Sequence, residues 1–207
     1  MITLWGRKSS SNVQKVLWCC AELAIAYEQI QVGREFGRND EDWYLTMNPN
    51  GLVPTIRDGD LVLWESNAIL RYLSARYDGE RLYPAALGPR ARIDQWLDWQ
   101  LSVMAPAISP VFWGLVRTDE DKRDMAAINA AAIRLGQVWS LVDRALETRA
   151  YLAGDALSIA DMALGNSVHR FFAFAIERPE LPHLAAWYQR LQGHEGYHKH
   201  IFTPVIV

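Results

Sequence analysis

No uninterrupted apolar run in this chain of 207 residues approaches the roughly 18 residues that a membrane-spanning helix needs. The sequence therefore predicts no membrane partner. An excess of one charge sign is equally lacking: 21 Lys and Arg stand against 24 Asp and Glu, and the basic residues are scattered. A polyanion requires a concentrated basic surface, so nucleic acid is not an expected partner. The opening residues Met1-Ile2-Thr3-Leu4-Trp5-Gly6 have neither the basic segment nor the apolar core of a secretory leader, and the chain reads as cytoplasmic. Cysteine is scarce, and Cys19 and Cys20 are adjacent inside an apolar helical pattern. Neighbours on a helix point about 100° apart, which rules out a disulfide between them, and the pair is no Cys-x-x-Cys redox motif. They read as small buried apolar side chains.

What is present organises into two parts. Ile2-Thr3-Leu4-Trp5 reads as a strand, Gly6 to Asn12 as a polar loop, and Val13 to about Leu23 as a helix. Tyr27 to Val32 alternates and reads as a second strand, parallel to the first by the right-handed crossover rule. An irregular stretch follows, with a short helix expected near Asp42 to Thr46. From Asp78 to Pro89 turn residues mark a linker, and beyond it only helical periodicity is found.

The most informative stretch is Asn48-Pro49-Asn50-Gly51-Leu52-Val53-Pro54, followed by Trp64-Glu65-Ser66-Asn67-Ala68-Ile69. Two prolines and a glycine force the backbone to turn. Val53 to Ile56 reads as a strand carrying a proline, which cannot donate to a ladder. Asp58-Gly59-Asp60 reads as a hairpin turn and Leu61 to Trp64 as the returning strand. Ser66 then stands where an N-cap is wanted, at the head of a helix running to Tyr77. A helix N-terminus with a hydroxyl suits a carboxylate.

This run resembles the glutathione-binding half of the cytosolic glutathione transferases, and the helical remainder extends the resemblance to the full chain. The implied fold is α/β plus all-α: a thioredoxin-like domain at 1–78, a linker at 79–88 and an all-helical domain at 89–207. The resemblance implies that Val53, ahead of a cis Pro54, pairs through its backbone with the cysteinyl part of glutathione. It also implies that Glu65 and Ser66 hold the γ-glutamyl end. Members of the family place a Tyr, Ser or Cys in the loop after the first strand. Here that loop offers Ser9, Ser10, Ser11 and Asn12, which is similar to the serine-type branch, theta-like or nu-like. Ser10, Ser11 and Asn12 are the candidate donors to the thiolate, with Ser10 in the family register and Ser11 one residue away. Arg34, Arg38 and Asn39 are candidates for the glycine carboxylate, and Trp113 and Arg117 for the electrophile pocket.

In the helical half, Pro106 and Pro110 predict a kink or interruption in a helix from Pro89 toward Leu115. Asp119 to Leu146 and Leu181 to Leu191 read as further helices, and Trp96 and Trp99 as side chains packed within the helix bundle. Ser158 and Asp161 form a variant capping box, a structural feature. His194-Glu195-Gly196-Tyr197-His198 fits H-E-x-x-H, but Gly193 and Gly196 weaken the helix, no third ligand follows at a useful distance, and the segment reads as polar surface. No metal is expected. The resemblance implies a homodimeric enzyme that conjugates glutathione to a small hydrophobic electrophile. Glutathione-dependent peroxide or disulfide reduction, dehalogenation, and a non-catalytic glutathione-binding module are the alternatives.

Overall fold

The computed structural model describes residues 1–205. Its first part is a four-stranded mixed sheet in the order β2-β1-β3-β4, built from β1 (Ile2–Trp5), β2 (Tyr27–Ile30), β3 (Thr55–Asp58) and β4 (Leu61–Trp64). β1 runs parallel to β2 and antiparallel to β3, and β3 turns back into β4 at Gly59, whose φ of 59° suits a tight hairpin. β3 begins after Pro54, two residues later than the sequence pattern suggests. The proline thus precedes the ladder, and a central strand loses no donor.

Helix α1 (Ser11–Glu22) crosses from β1 to β2, and α2 (Asp42–Met47) and α3 (Ser66–Arg76) complete the thioredoxin-like unit. α1 is unusually enclosed: every residue from Val13 to Cys20 is buried, between α3 on one side and the helical domain on the other. Gly6 makes the entry to α1 possible. Its φ is 153°, and a Cβ there would stand 2.5 Å from Val13 Cγ2. Cys19 and Cys20 are both buried, and burial pushes both thiols up, Cys20 to about 12.

The second part is helical throughout: α4 (Leu87–Trp99), α5 (Ala105–Phe112), α6 (Met125–Leu146), α7 (Ile159–Ala173), α8 (Pro182–Gln192) and α9 (Glu195–His200). α4 starts at Leu87, before the expected Pro89. Two π-turns, Gln100–Met104 and Trp113–Arg117, make α4 and α5 parts of one helical run from Leu87 to Arg117. Pro106 and Pro110 therefore do not end the helix. The wide turn before Pro106 already gives up the regular i to i−4 pattern that a proline would break. Trp96 and Trp99 meet edge to face at 5.3 Å. The helices 87–117 and 125–146 are long and apolar enough by length and composition to cross a membrane, which the search for unbroken apolar runs missed. In this fold their buried residues, Trp96, Leu97, Met104, Leu135, Trp139 and Val142 among them, belong to the core.

α6 begins at Met125 rather than Asp119. Asp124 caps it, its Oδ1 accepting from the Ala127 N–H at 2.9 Å, and residues 120–122 form a separate 3₁₀ turn. At the head of α7, fully buried Asp161 accepts from the N–H of Leu152 and Ser158, from the Ser158 hydroxyl and from Trp187 Nε1, at 2.9–3.0 Å. The capping box thus also anchors α8. α9 departs from the sequence reading. It is not polar surface, because Tyr197 is fully buried with its hydroxyl donating to Gly165 O at 2.9 Å, and Gly196 is pressed against Trp18. His194 caps α9, with Nδ1 3.4 Å from Glu22 Oε1 and Nε2 3.0 Å from the Tyr151 hydroxyl. Both of its ring nitrogens are thereby engaged within the protein.

Candidate active site

Where the two parts meet, a cleft of about 380 Å³ opens between the starts of α1 and α3, the turn before β3 and the end of the 87–117 helix. Each of its walls follows from a local feature. Asn48 folds the turn back on itself, accepting from the Asn50 N–H through Oδ1 and donating to Leu52 O at 2.8 Å. Tyr44 donates to the same carbonyl at 2.6 Å, and Asn39 Nδ2 donates to Gly51 O at 2.8 Å. Gly51 sits at φ 61°, with Asn39 O only 3.0 Å from where a Cβ would stand. The turn is thus held from behind, and its next residue, Val53, faces the cleft through a cis peptide to Pro54. Among the described residues, no hydrogen-bond partner takes up the Val53 N–H or C=O.

Facing that peptide is the head of α1. The helix starts at Ser11, two residues earlier than the apolar periodicity suggests, so Ser10 is its N-cap and Ser11 and Asn12 form its first turn. The Ser10 hydroxyl makes no capping hydrogen bond, although the residue is largely buried and lines the cleft. An N-cap serine normally spends its oxygen on the N2 or N3 N–H. Here both that oxygen and the orphan N–H groups of the first turn remain for a ligand.

At the head of α3 the register also differs. Glu65 is the N-cap and Ser66 the first helical residue. Glu65 has φ 72°, a left-handed conformation that costs a non-glycine residue about 1–3 kcal/mol. Ser66 lies beside α1: its hydroxyl donates to Asn12 Oδ1 at 3.4 Å and accepts from Lys15 Nζ at 3.4 Å.

Lys15 is a residue that sequence reasoning missed. Its ammonium is buried and donates to Ser66 Oγ, to Asn67 Oδ1 at 3.4 Å and to Gln100 Oε1 at 3.1 Å. Gln100 reaches it from the first π-turn, a common use of such turns at functional sites. Burial lowers the Lys15 pKa from 10.5 to about 7, with Glu65 pulling it back up. The signal in the sequence was slight: the i+3 and i+4 neighbours of this lysine, Trp18 and Cys19, are both apolar.

Of the other candidates, Val53, Pro54, Glu65, Ser66, Ser10, Ser11, Asn12, Arg34, Asn39, Trp113 and Arg117 all line the cleft. Arg38 does not. At φ 68° its side chain turns outward, lying over the Trp43 ring at 4.9 Å and 3.9 Å from Glu41. Trp113 and Arg117 come from the second π-turn. Beyond Ser9, Arg34, Phe112, Arg117 and Arg170, which border both spaces, the cleft adjoins a larger cavity of about 860 Å³.

The family model described as the N-terminal domain of glutathione S-transferases matches residues 1–75, and the corresponding C-terminal domain model matches residues 103–195. The chain is also 42% identical over 207 residues to the glutathione S-transferase GstB of Escherichia coli K12, covering 99% of this chain and all of that one. It belongs to the glutathione S-transferase family. Glutathione S-transferase 4 of Zea mays is 30% identical, with 99% of this chain and 94% of the maize protein covered. Among solved structures, the theta-class glutathione S-transferase of Xanthomonas axonopodis pv. citri with glutathione bound superposes with a TM-score of 0.94 at 48% identity, covering 99% of this chain and 98% of that one. The thioredoxin-like domain followed by a helical domain is the fold of this family.

Proposed function

We propose that this protein is a serine-type glutathione transferase, theta-like in its site, which joins the sulfur of glutathione to a small electrophile. The observation that carries the reading is the convergence of three unspent sets of polar groups on one cleft: the Val53 peptide, the head of α3 and the head of α1. Glutathione lies with its γ-glutamyl carboxylate on the Ser66 hydroxyl and the first N–H groups of α3, and its ammonium on the Glu65 carboxylate. Its cysteinyl part pairs with the backbone of Val53. Asn39 and Arg34 border the end where the glycine carboxylate falls. The sulfur is then directed at the N-terminus of α1.

There the thiol ionises because its anion is stabilised by the helix N-terminus and by a hydroxyl donor, which lowers the pKa of the bound thiol. Ser10 is the first choice of donor, since its hydroxyl is not used in capping, with Ser11 and Asn12 adjacent. The thiolate attacks the electrophilic carbon: the carbon–sulfur bond forms as the leaving group departs with its electron pair. Held side by side, the two reactants gain from proximity as well as from the ionised sulfur. Trp113 and Arg117 stand at the mouth where the electrophile enters. The thioredoxin-like domain runs 1–78 and a linker joins it to the helical domain that opens with α4 at Leu87; the enzyme acts in the cytoplasm as a homodimer, and no metal takes part.

The test is a pH titration of thiolate absorbance for bound glutathione in the wild type and in Ser10→Ala, Ser11→Ala and Asn12→Ala. The bound thiol is expected to ionise well below free glutathione, and Ser10→Ala to raise its pKa by about one unit or more while lowering turnover. If Ser11→Ala alone has that effect, the donor is Ser11. If the wild type binds glutathione without lowering its thiol pKa and turns over no electrophile, the protein is a binding module and the enzyme reading fails.

A further inference from the structure

The cavity beyond the glutathione cleft has an unusual charge balance. Lys8, Arg34, Arg117, Arg170 and Lys199 border it, and among its described lining residues Glu35 is the sole carboxylate. The chain as a whole carries a formal net charge of −3, so the sign is reversed in this cavity. His169 and His200 add nothing to it, because burial lowers both, His200 to about 4.

The guanidinium groups are also crowded and poorly satisfied. Those of Arg170 and Arg117 both lie over the Phe112 ring, at 4.1 and 5.0 Å from its centroid. Arg7 lies close by, with its Nε buried and without a hydrogen-bond partner among the described residues. Burial, followed by repulsion from Arg117 and Arg7, lowers Arg170 to about 10, so it remains charged at neutral pH. Lys8, Arg34 and Lys199 are exposed at the cavity's rim, whereas Arg117 and Arg170 are half-buried, and half-buried like charges persist at a cost unless a counter-charge is supplied.

Glutathione supplies only part of that counter-charge. Bound as proposed above, it presents its thiolate and its glycine carboxylate toward this wall, two negative charges against a net four positive. Two positive charges stay uncompensated in a concave, partly apolar site, which attracts anions.

We propose that the second substrate is an organic anion, an electrophile carrying a carboxylate or sulfonate on an apolar body. This inference rests on the transferase reading and names its substrate class. The anionic group pairs with Arg117 and Arg170, whose planar forks match it. The apolar body lies against Phe112, Leu17 and Ile201, with the reactive carbon toward the glutathione sulfur. In the reaction the carbon–sulfur bond forms while the carbon–halogen bond breaks. The halide leaves with the bonding electrons, and the thiol proton has already gone to solvent.

A matched pair tests it: 4-(bromomethyl)benzoate and 4-(bromomethyl)benzamide share the carbon attacked and the leaving group and differ in charge. Above the uncatalysed rate, kcat/KM for the benzoate should exceed that for the amide by about tenfold or more. The two finished conjugates, S-(4-carboxybenzyl)glutathione and S-(4-carbamoylbenzyl)glutathione, should differ in Kd in the same direction, a readout that needs no turnover. Arg117→Gln and Arg170→Gln should each reduce the ratio toward one. If Arg170→Gln fails to fold, Arg117→Gln, at the other arginine of the pair, decides the matter. Equal or better handling of the amide, in rate or in conjugate affinity, overturns the inference while leaving a working transferase. An undiminished ratio in Arg117→Gln overturns the assignment to these arginines. Glutathione bound with no lowering of its thiol pKa, together with no turnover of either bromide, sinks the transferase reading itself.

Discussion

Lys15 Nζ lies 3.1 Å from Gln100 Oε1, so the buried first helix of the thioredoxin-like domain is tied to the first π-turn of the 87–117 helix. This ammonium is held among Ser66, Asn67 and Gln100 with no carboxylate in hydrogen-bond contact. Its pKa falls to about 7 in the fold, against 10.5 in the unfolded chain. Between those values the unfolded chain binds a proton that the folded one has released, so this group makes stability rise with pH from about 7 upward. Lys15→Met removes that contribution. Urea unfolding at pH 7 and pH 9 should show the wild type gaining on the variant as pH increases. Cys20 and the buried tyrosines titrate in both proteins and cancel in the comparison. A gap that is the same at both pH values would mean an ordinary lysine pKa.

Ser66 has its hydroxyl at the head of α3, between Lys15 and Asn12. Ser66→Ala should weaken glutathione binding by about 1–2 kcal/mol, roughly 5- to 30-fold in Kd, through one lost hydrogen bond to a carboxylate. Calorimetric titration measures this directly, and an unchanged Kd would place the γ-glutamyl end elsewhere.

Tyr44 supports the site without lining it. Its hydroxyl donates to Leu52 O at 2.6 Å and lies 2.9 Å from Thr55 Oγ1, bracing the turn that presents Val53. Tyr44→Phe should cost about 1 kcal/mol of stability. It should also raise the Kd for glutathione a few-fold while leaving the pKa of the bound thiol in place, because the α1 end is untouched. A shift in that pKa would show that the turn also sets the position of the sulfur.

Asp161 takes four hydrogen bonds at full burial. Asp161→Asn keeps the shape but turns one acceptor oxygen into a donor, which would then face another N–H. The loss should be about 2–3 kcal/mol, seen as a lower midpoint in denaturant unfolding, with the glutathione Kd of the folded fraction unchanged. A neutral result would mean that the pocket reorganises around the amide.

Much of this architecture can be read from short-range pattern. The Gly59 hairpin and the Asn48–Pro54 turn depend on residues close in sequence and appear where their chemistry puts them, and the alternation read over Tyr27–Val32 gives a strand that starts at Tyr27 and stops two residues short, at Ile30. Element starts were less legible. The first turns of α1 and α3 carry polar residues because their N–H groups serve a cleft, so hydrophobic periodicity begins after the helix does. Arg38 stood beside Asn39 in sequence, yet a left-handed backbone turned it away. Lys15 and Arg170 were hidden for a different reason: their environment comes from residues far along the chain. Ser66, Asn67 and Gln100 are 51, 52 and 85 positions from Lys15. On a single helix either residue looks like an ordinary surface cation.

The two cysteines have a practical meaning for a protein proposed to handle alkylating compounds. Cys19 and Cys20 lie inside α1, sealed from solvent, with both thiols held protonated well past neutrality. A thiol in that state is a poor nucleophile. The protein thus exposes no thiol of its own to the reagents it would process: any thiol consumed in an assay of the folded protein is glutathione's.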